Sequence, residues 1–174
     1  RSIAGLHKSS GQREWRRRDR HELAKAEDIQ QRLGFKQKNV FSMSFERKNL
    51  VYVVRKTIDK DEEMLKILQG VPGSAIVYTR SRRLTSTIAQ LLNSKGITAD
   101  NYHAGLTDAE KDFRQANWTK GRNRVMVATN AFGMGIDKSN VRWVIHYNMP
   151  QSMEAYYQEA GRAGRDGSPA ECIL

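Results

Sequence analysis

The sequence predicts an α/β fold: a parallel β-sheet with helices on both faces. Two observations carry this. Short β-branched and apolar runs alternate with segments of helical spacing, and several of those runs are apolar throughout, as strands covered on both faces must be. With 174 residues, 39% of them hydrophobic, the chain also has enough material for one domain with a continuous core.

The elements follow in order. From His21 to Leu33 the spacing of Leu23, Ala26, Ile29 and Leu33 predicts an amphipathic helix, and Gly34 stands where a C-terminal cap belongs. Asn49–Arg55 reads as a strand and Asp59–Gln69 as a helix. Ser74–Thr79 is a short apolar strand bounded by Pro72-Gly73. Ser81 caps a helix to Lys95 that places Leu84, Ile88, Leu91 and Leu92 on one face, and Gly96 ends it. Ile97–His103 is the next strand. Thr107 and Glu110 form an S/T-x-x-E capping box opening a helix to Lys120. Arg124–Thr129 and Val141–Tyr147 are buried strands, Gln151–Gly161 a helix, and Ala170–Leu174 the last strand. In such sheets ligands gather at the carboxyl ends of strands, which directs attention to the loops after Thr79, His103, Thr129 and Tyr147.

Charge narrows the partner. Thirty Lys and Arg against nineteen Asp and Glu give a net charge of +11, which favours a polyanion such as nucleic acid. The first 22 residues hold seven basic and three acidic side chains and few apolar ones, so 1–22 is read as a basic tail, disordered or foreign to the domain, with 23–174 as the folded unit. Cys172 is the single cysteine, which excludes an internal disulfide and fits a reducing compartment. No stretch approaches the ~18 apolar residues of a membrane span, so no membrane partner is expected.

Chemistry concentrates in four loops. In Gln158-Glu159-Ala160-Gly161-Arg162-Ala163-Gly164-Arg165-Asp166-Gly167, two arginines three apart are separated only by small residues, an arrangement suited to phosphate oxygens. Thr129-Asn130-Ala131-Phe132-Gly133-Met134-Gly135-Ile136-Asp137 leaves a buried strand through a Gly-x-Gly loop to a carboxylate able to accept a ribose hydroxyl. Thr129 there presents a hydroxyl and an amide to a nucleic-acid phosphate, while Phe132 and Met134 are read as packing residues. In Tyr78-Thr79-Arg80-Ser81 and Tyr102-His103-Ala104-Gly105-Leu106, Arg80 and His103 suit a single-strand backbone and Tyr78 or Tyr102 a stacking face. His103 equally fits a partly buried histidine bonded to a neighbouring loop, and Arg82 and Arg83 a solvated helix face. Trp118 and Trp143 are assigned to the core, and Trp15 is left open.

No G-x-x-x-x-G-K-[ST] loop occurs, and no acidic pair follows a strand in the pattern that holds Mg²⁺. The chain is therefore expected to supply one side of a composite nucleotide site, its arginines facing a triphosphate cradled elsewhere.

These loops resemble motifs VI, V and IV (Ser74–Arg83) of superfamily 2 helicases, and their particular strings resemble the second RecA-like motor domain of the RecQ family. The likeness runs from about Glu27 to Leu174 and includes Phe41-Ser42-Met43-Ser44-Phe45-Glu46-Arg47-Lys48-Asn49-Leu50; the first two dozen residues do not match. The resemblance implies a RecA-like fold and a parent ATP-dependent DNA helicase moving 3′ to 5′ in recombination and repair. It implies Arg165 as the arginine finger, supported by Arg162 and Gln158, with Gly135 and Asp137 coupling the ATP site to DNA. Arg80, Ser81, His103, Thr129 and Asn130 would meet DNA. ATP and Mg²⁺ would be bound mainly by a first RecA-like domain of the same protein, which is one partner, single-stranded or forked DNA being the other. The implied location is cytoplasmic or nucleoid-associated, or nuclear in a eukaryote, and the piece alone is expected to be inactive. Two alternatives stay open: a non-catalytic nucleic-acid-binding module, and an RNA helicase domain of the same superfamily, for which His-Arg rather than Gln158-Glu159 would open motif VI.

Overall fold

A computed structural model of the chain describes residues 25, 27–34, 47–133 and 136–174. The basic tail, Trp15, the Phe41–Glu46 stretch, Met134 and Gly135 therefore lie outside the described residues. The chain divides into two units, Arg1–Glu46 and Arg47–Leu174. In the first, residues 27–32 are helical (α1), and Gly34 takes φ 68° just beyond, the left-handed cap expected there. Ile29 and Leu33, expected on a buried face, are exposed.

The second unit runs β1 (Leu50–Val53), α2 (Lys60–Gly70), β2 (Ser74–Tyr78), α3 (Arg82–Ser94), β3 (Ala99–Tyr102), α4 (Asp108–Thr119), β4 (Val125–Ala128), β5 (Val141–His146), α5 (Met153–Ala160) and β6 (Ala170–Ile173). Every element expected in this stretch forms, with most ends shorter by one or a few residues and α2 running one residue longer at its C-terminus. The caps explain the starts: Asp59 Oδ1 accepts from the Glu62 amide, Ser81 Oγ from Leu84, and Ser152 Oγ from Ala155.

At α4 the capping box is complete, Glu110 Oε2 accepting from the Thr107 amide at 2.8 Å. The Thr107 amide and then its hydroxyl hold the Glu110 carboxyl below its ordinary value. A carboxyl depressed by folding contributes stability that is present above its unfolded pKa and lost as pH falls through the lower folded one. Thr107→Ala is expected to cost about 1 kcal/mol at neutral pH in a urea unfolding curve. The deficit should shrink as pH falls through the lowered Glu110 value, where the unmutated box also loses its carboxylate.

The six strands are all parallel, in the order β1-β6-β5-β2-β4-β3. Strand residues alternate between two cores. Ile76, Tyr78, Met126 and Val144 pack with Trp118 of α4, Ala160 of α5 and Phe132. Ala75, Val77, Val125 and Val127 pack with Met64 and Leu68 of α2 and with Ile88 and Leu92 of α3. Helices thus cover both faces, as the apolar strands require. Trp118 is fully buried, its Nε1 donating to the Ala75 carbonyl at 3.3 Å, and Trp143 packs partly buried against the second core. Cys172 is buried in β6, and burial pushes its thiol up to about 12.

After β2 the chain turns through α3 on one face, and after β5 it turns through α5 on the other. Since β2 and β5 are neighbours, their carboxyl ends flank the switch point at which open α/β sheets form a crevice.

Candidate functional site

A groove lies at that switch point, lined by Tyr78, Thr79 and Arg80 after β2, Asn130 after β4, and Asn148–Gln151 after β5, with Glu159 of α5 at its side. Asn148 ties its walls: its Oδ1 accepts from the Thr79 hydroxyl at 2.9 Å and from the Arg80 amide at 3.3 Å. The Arg80 guanidinium reaches across to the Pro150 carbonyl at 3.3 Å and is otherwise exposed. Ser81 is exposed with its hydroxyl serving the α3 cap, and Asn130 is exposed in the groove wall.

Two expectations are corrected here. Tyr78 offers no stacking face: its ring is 3% exposed, stacked on His146 at 5.6 Å, with its hydroxyl donating to the Phe132 carbonyl. Its position on an alternate face of the central strand points it into the core, and burial raises its pKa. The Thr129 amide is likewise taken, donating to Tyr102 O at 3.1 Å, which leaves the hydroxyl of a residue that is itself buried. Phe132 packs as expected, its ring 4.8 Å from Tyr102 and 5.4 Å from Trp118.

Behind the groove, buried His146 Nε2 meets Glu159 Oε2 at 2.9 Å, joining β5 to α5. Its Nδ1 is buried without a partner among the described residues. No pattern in the sequence singled out His146 or Asn148, because each acts through a partner remote along the chain.

His103 stands apart, past the end of β3, with Arg82 and Gly105 beside it. Its Nδ1 is buried without a partner among the described residues, which does not match a histidine bonded through that atom to a neighbouring loop. Desolvation, then the Arg82 and Arg114 charges, hold the imidazole below its ordinary value, so it is neutral at pH 7.

The arginine loop continues from the last turn of α5, whose Glu159 also lines the groove. Arg162 is 8% exposed and donates through Nη1 to the Gly133 carbonyl at 2.5 Å. A Cβ at position 133 would overlap the Arg162 guanidinium, which explains glycine there. Arg162 Nε is buried with no partner among the described residues. Arg165 is exposed and only lightly held, Nη1 to Ile136 O at 3.3 Å and Nε to Gly161 O at 3.4 Å. Both arginines thus lie against the β4–β5 loop. Gln158 is exposed on α5 and Asp137 exposed beyond Ile136. This donor set, a planar buried fork with a spare N–H beside an exposed one, suits an anion with several oxygens.

A profile of the helicase conserved C-terminal domain matches residues 59–167, which include the groove and the arginine loop. The chain is 42% identical over 152 residues to the ATP-dependent DNA helicase RecQ of Pasteurella multocida, covering 87% of this chain and 24% of that protein. The chain belongs to the RecQ family of helicase C-terminal domains. The RecQ of Bacillus subtilis is 43% identical over 149 residues, covering 85% of this chain and 25% of that protein. The chain therefore spans about a quarter of the length of these curated relatives. Among solved structures, a DEAD box protein from Methanococcus jannaschii superposes with a TM-score of 0.63 at 26% identity, over 70% of this chain and 34% of that one. Dbp5 of S. cerevisiae bound to Gle1 and IP6 gives 0.68 at 23% identity, over 79% of this chain and 37% of that one, a likeness of fold alone. The RecA-like α/β fold implied by the motifs is the one this RecQ-family domain has. The contacts of Arg162 and Arg165 join the two loops that resemble motifs VI and V, the arginine loop and the β4–β5 loop.

Proposed function

We propose that this domain is the second motor domain of an ATP-dependent 3′–5′ DNA helicase acting in recombination and repair. Residues 23–174 form the motor domain and 1–22 a tail. The domain lends an arginine finger and single-strand contacts to a composite ATP site. The observation that carries this reading is the pairing of an anchored arginine with a lightly held one on the β4–β5 loop, Arg162 Nε having no partner among the described residues.

ATP, held with Mg²⁺ mainly by the first motor domain, supplies a phosphoryl group whose transfer to water gathers charge on oxygen. Arg165 directs its guanidinium at that charge, and Arg162 and Gln158 hold the neighbouring surface. Gly135 and Asp137 couple the ATP site to DNA, whose backbone is met by Arg80 and Asn130 in the groove and by Ser81, Thr129 and His103 outside its lining. The names of the relatives, ATP-dependent DNA helicases, support ATP and DNA as ligands of the parent protein. Among the described residues no helix is long and apolar enough to cross a membrane. We place the parent in the cytoplasm or nucleoid, or the nucleus of a eukaryote, and expect the domain alone to be inactive.

The test is ATP hydrolysis by the full parent polypeptide with and without single-stranded DNA. Stimulation by DNA supports the motor reading; hydrolysis indifferent to DNA overturns it in favour of a binding module. A stronger response to RNA favours the RNA-helicase alternative. Arg80 makes a narrower prediction. Its exposed charge in the groove is expected to contact phosphate, so Arg80→Ala should weaken binding equally across sequences. It should also reduce the slope of log affinity against log salt by about 0.7.

A further inference from the structure

Arg47 and Asn49, just before β1, reach across to the loop that carries the arginines. Arg47 Nη2 donates to the carbonyl oxygens of Ala163 at 3.1 Å and Gly164 at 2.7 Å. Asn49 Nδ2 donates to Gly164 O at 2.7 Å and Ser168 O at 2.9 Å. Arg47 Nε donates to Asn49 Oδ1 at 3.3 Å, which orients that amide so that its N–H groups face the loop.

Gly164 completes the fit. It adopts φ 56°, and a Cβ there would stand 2.5 Å from Asn49 Nδ2 and 2.7 Å from the Ser168 carbonyl. From the other side, the Gly164 amide donates to Val141 O at 2.8 Å and the Asp166 amide to Ser139 O at 3.2 Å. The backbone between Arg162 and Arg165 is thus gripped on two sides while the Arg165 guanidinium stays exposed.

Strand pairing does not account for the two side chains. The β1–β6 ladder is already made by the backbone, with Ala170 N donating to Asn49 O at 2.9 Å, and the side chains pass beyond it to the loop. Each of their loop acceptors is a carbonyl that the tight turn leaves facing them. An arginine finger has value only if its base is fixed before charge develops, because reorganisation during the reaction would cancel the gain.

We propose that Arg47 and Asn49 are positioning residues for the arginine pair, setting the backbone from which Arg162 and Arg165 project. The proposal rests on the motor-domain reading above.

The test uses the full parent protein and compares Arg47→Ala, Arg165→Ala and the double variant. Arg47→Ala is expected to lower kcat for ATP hydrolysis about tenfold, with KM for ATP and single-stranded DNA affinity within about twofold. In the Arg165→Ala background the same change should cost less than about twofold, because the finger through which the positioned loop acts on the transferred group is gone. Arg47→Lys keeps a cation able to reach one carbonyl and should recover part of the rate. A merely structural role would multiply the loss equally in both backgrounds, and that result, or an unchanged kcat in Arg47→Ala, overturns the proposal. If Arg47→Ala does not fold, Asn49→Ala and Arg47→Lys carry the comparison, and full kcat in both overturns it. If Arg165→Ala itself hydrolyses ATP normally, the finger assignment has failed and the positioning role falls with it, whereas hydrolysis indifferent to DNA sinks the motor reading. Arg165→Ala crippled beside an unimpaired Arg47→Ala removes the positioning role alone.

Discussion

Arg165→Ala in the full parent protein is expected to lower kcat for ATP hydrolysis by about 10³-fold, the lower end of what an arginine finger contributes. ATP affinity should change little by comparison, since the guanidinium matters most when charge accumulates during phosphoryl transfer. The geometry makes the loss interpretable. Arg165 is exposed and its two bonds are long, so its removal opens no cavity and orphans no tightly bonded carbonyl. Its effect on stability should stay within about 0.5 kcal/mol. Arg165→Lys keeps the charge but loses the planar fork, and should recover only a fraction of the rate. Arg162→Ala is different in kind: Arg162 is buried and bonded to the Gly133 carbonyl, so its loss should lower both stability and hydrolysis. Steady-state hydrolysis with thermal unfolding of the same preparations separates the two. Unaltered hydrolysis in Arg165→Ala would end the finger assignment.

Trp118→Ala is expected to destabilise the chain by about 4 kcal/mol in denaturant unfolding, near the upper range for deletion of a large buried side chain. The indole is wholly buried under β2, bonded to Ala75 O, edge-on to Phe132 at 5.4 Å, with Lys138 Nζ 5.2 Å over its ring. Its loss removes apolar contacts and uncovers the ammonium, which donates to Thr119 O at 3.1 Å. Desolvation already holds the Lys138 amine below its ordinary value. Phe132 links this core to motif V through the bond that Tyr78 makes to its carbonyl. The destabilisation should therefore reach the loop against which both arginines rest. Trp118→Phe, which keeps the ring but not the N–H, should cost distinctly less. A loss below 1 kcal/mol for Trp118→Ala would show that this face of the sheet is not the core.

The six strands and the helices between them were legible in the sequence because their determinants are local. An apolar run such as Val125–Ala128 declares a strand covered on both sides. Ser81 and the Thr107–Glu110 box satisfy amides two to three residues away, and Gly96 takes φ 77° just past a helix end. The arginine loop and the Gly-x-Gly loop were also readable, since each packs its chemistry into about ten consecutive residues.

What only the tertiary structure decided is which distant residues meet. Strand order placed β5 beside β2, which brings Asn148 to Thr79 and Arg80 and makes the groove. The side of β2 on which Tyr78 falls turned a candidate stacking ring into core. Pairing of β1 with β6 brought Arg47 and Asn49 to Gly164, more than a hundred residues along the chain. Periodicity and capping are set by neighbours within a turn or a strand pair of residues. Register and strand order are set by the packing of whole faces, so these contacts exist only once the sheet is assembled.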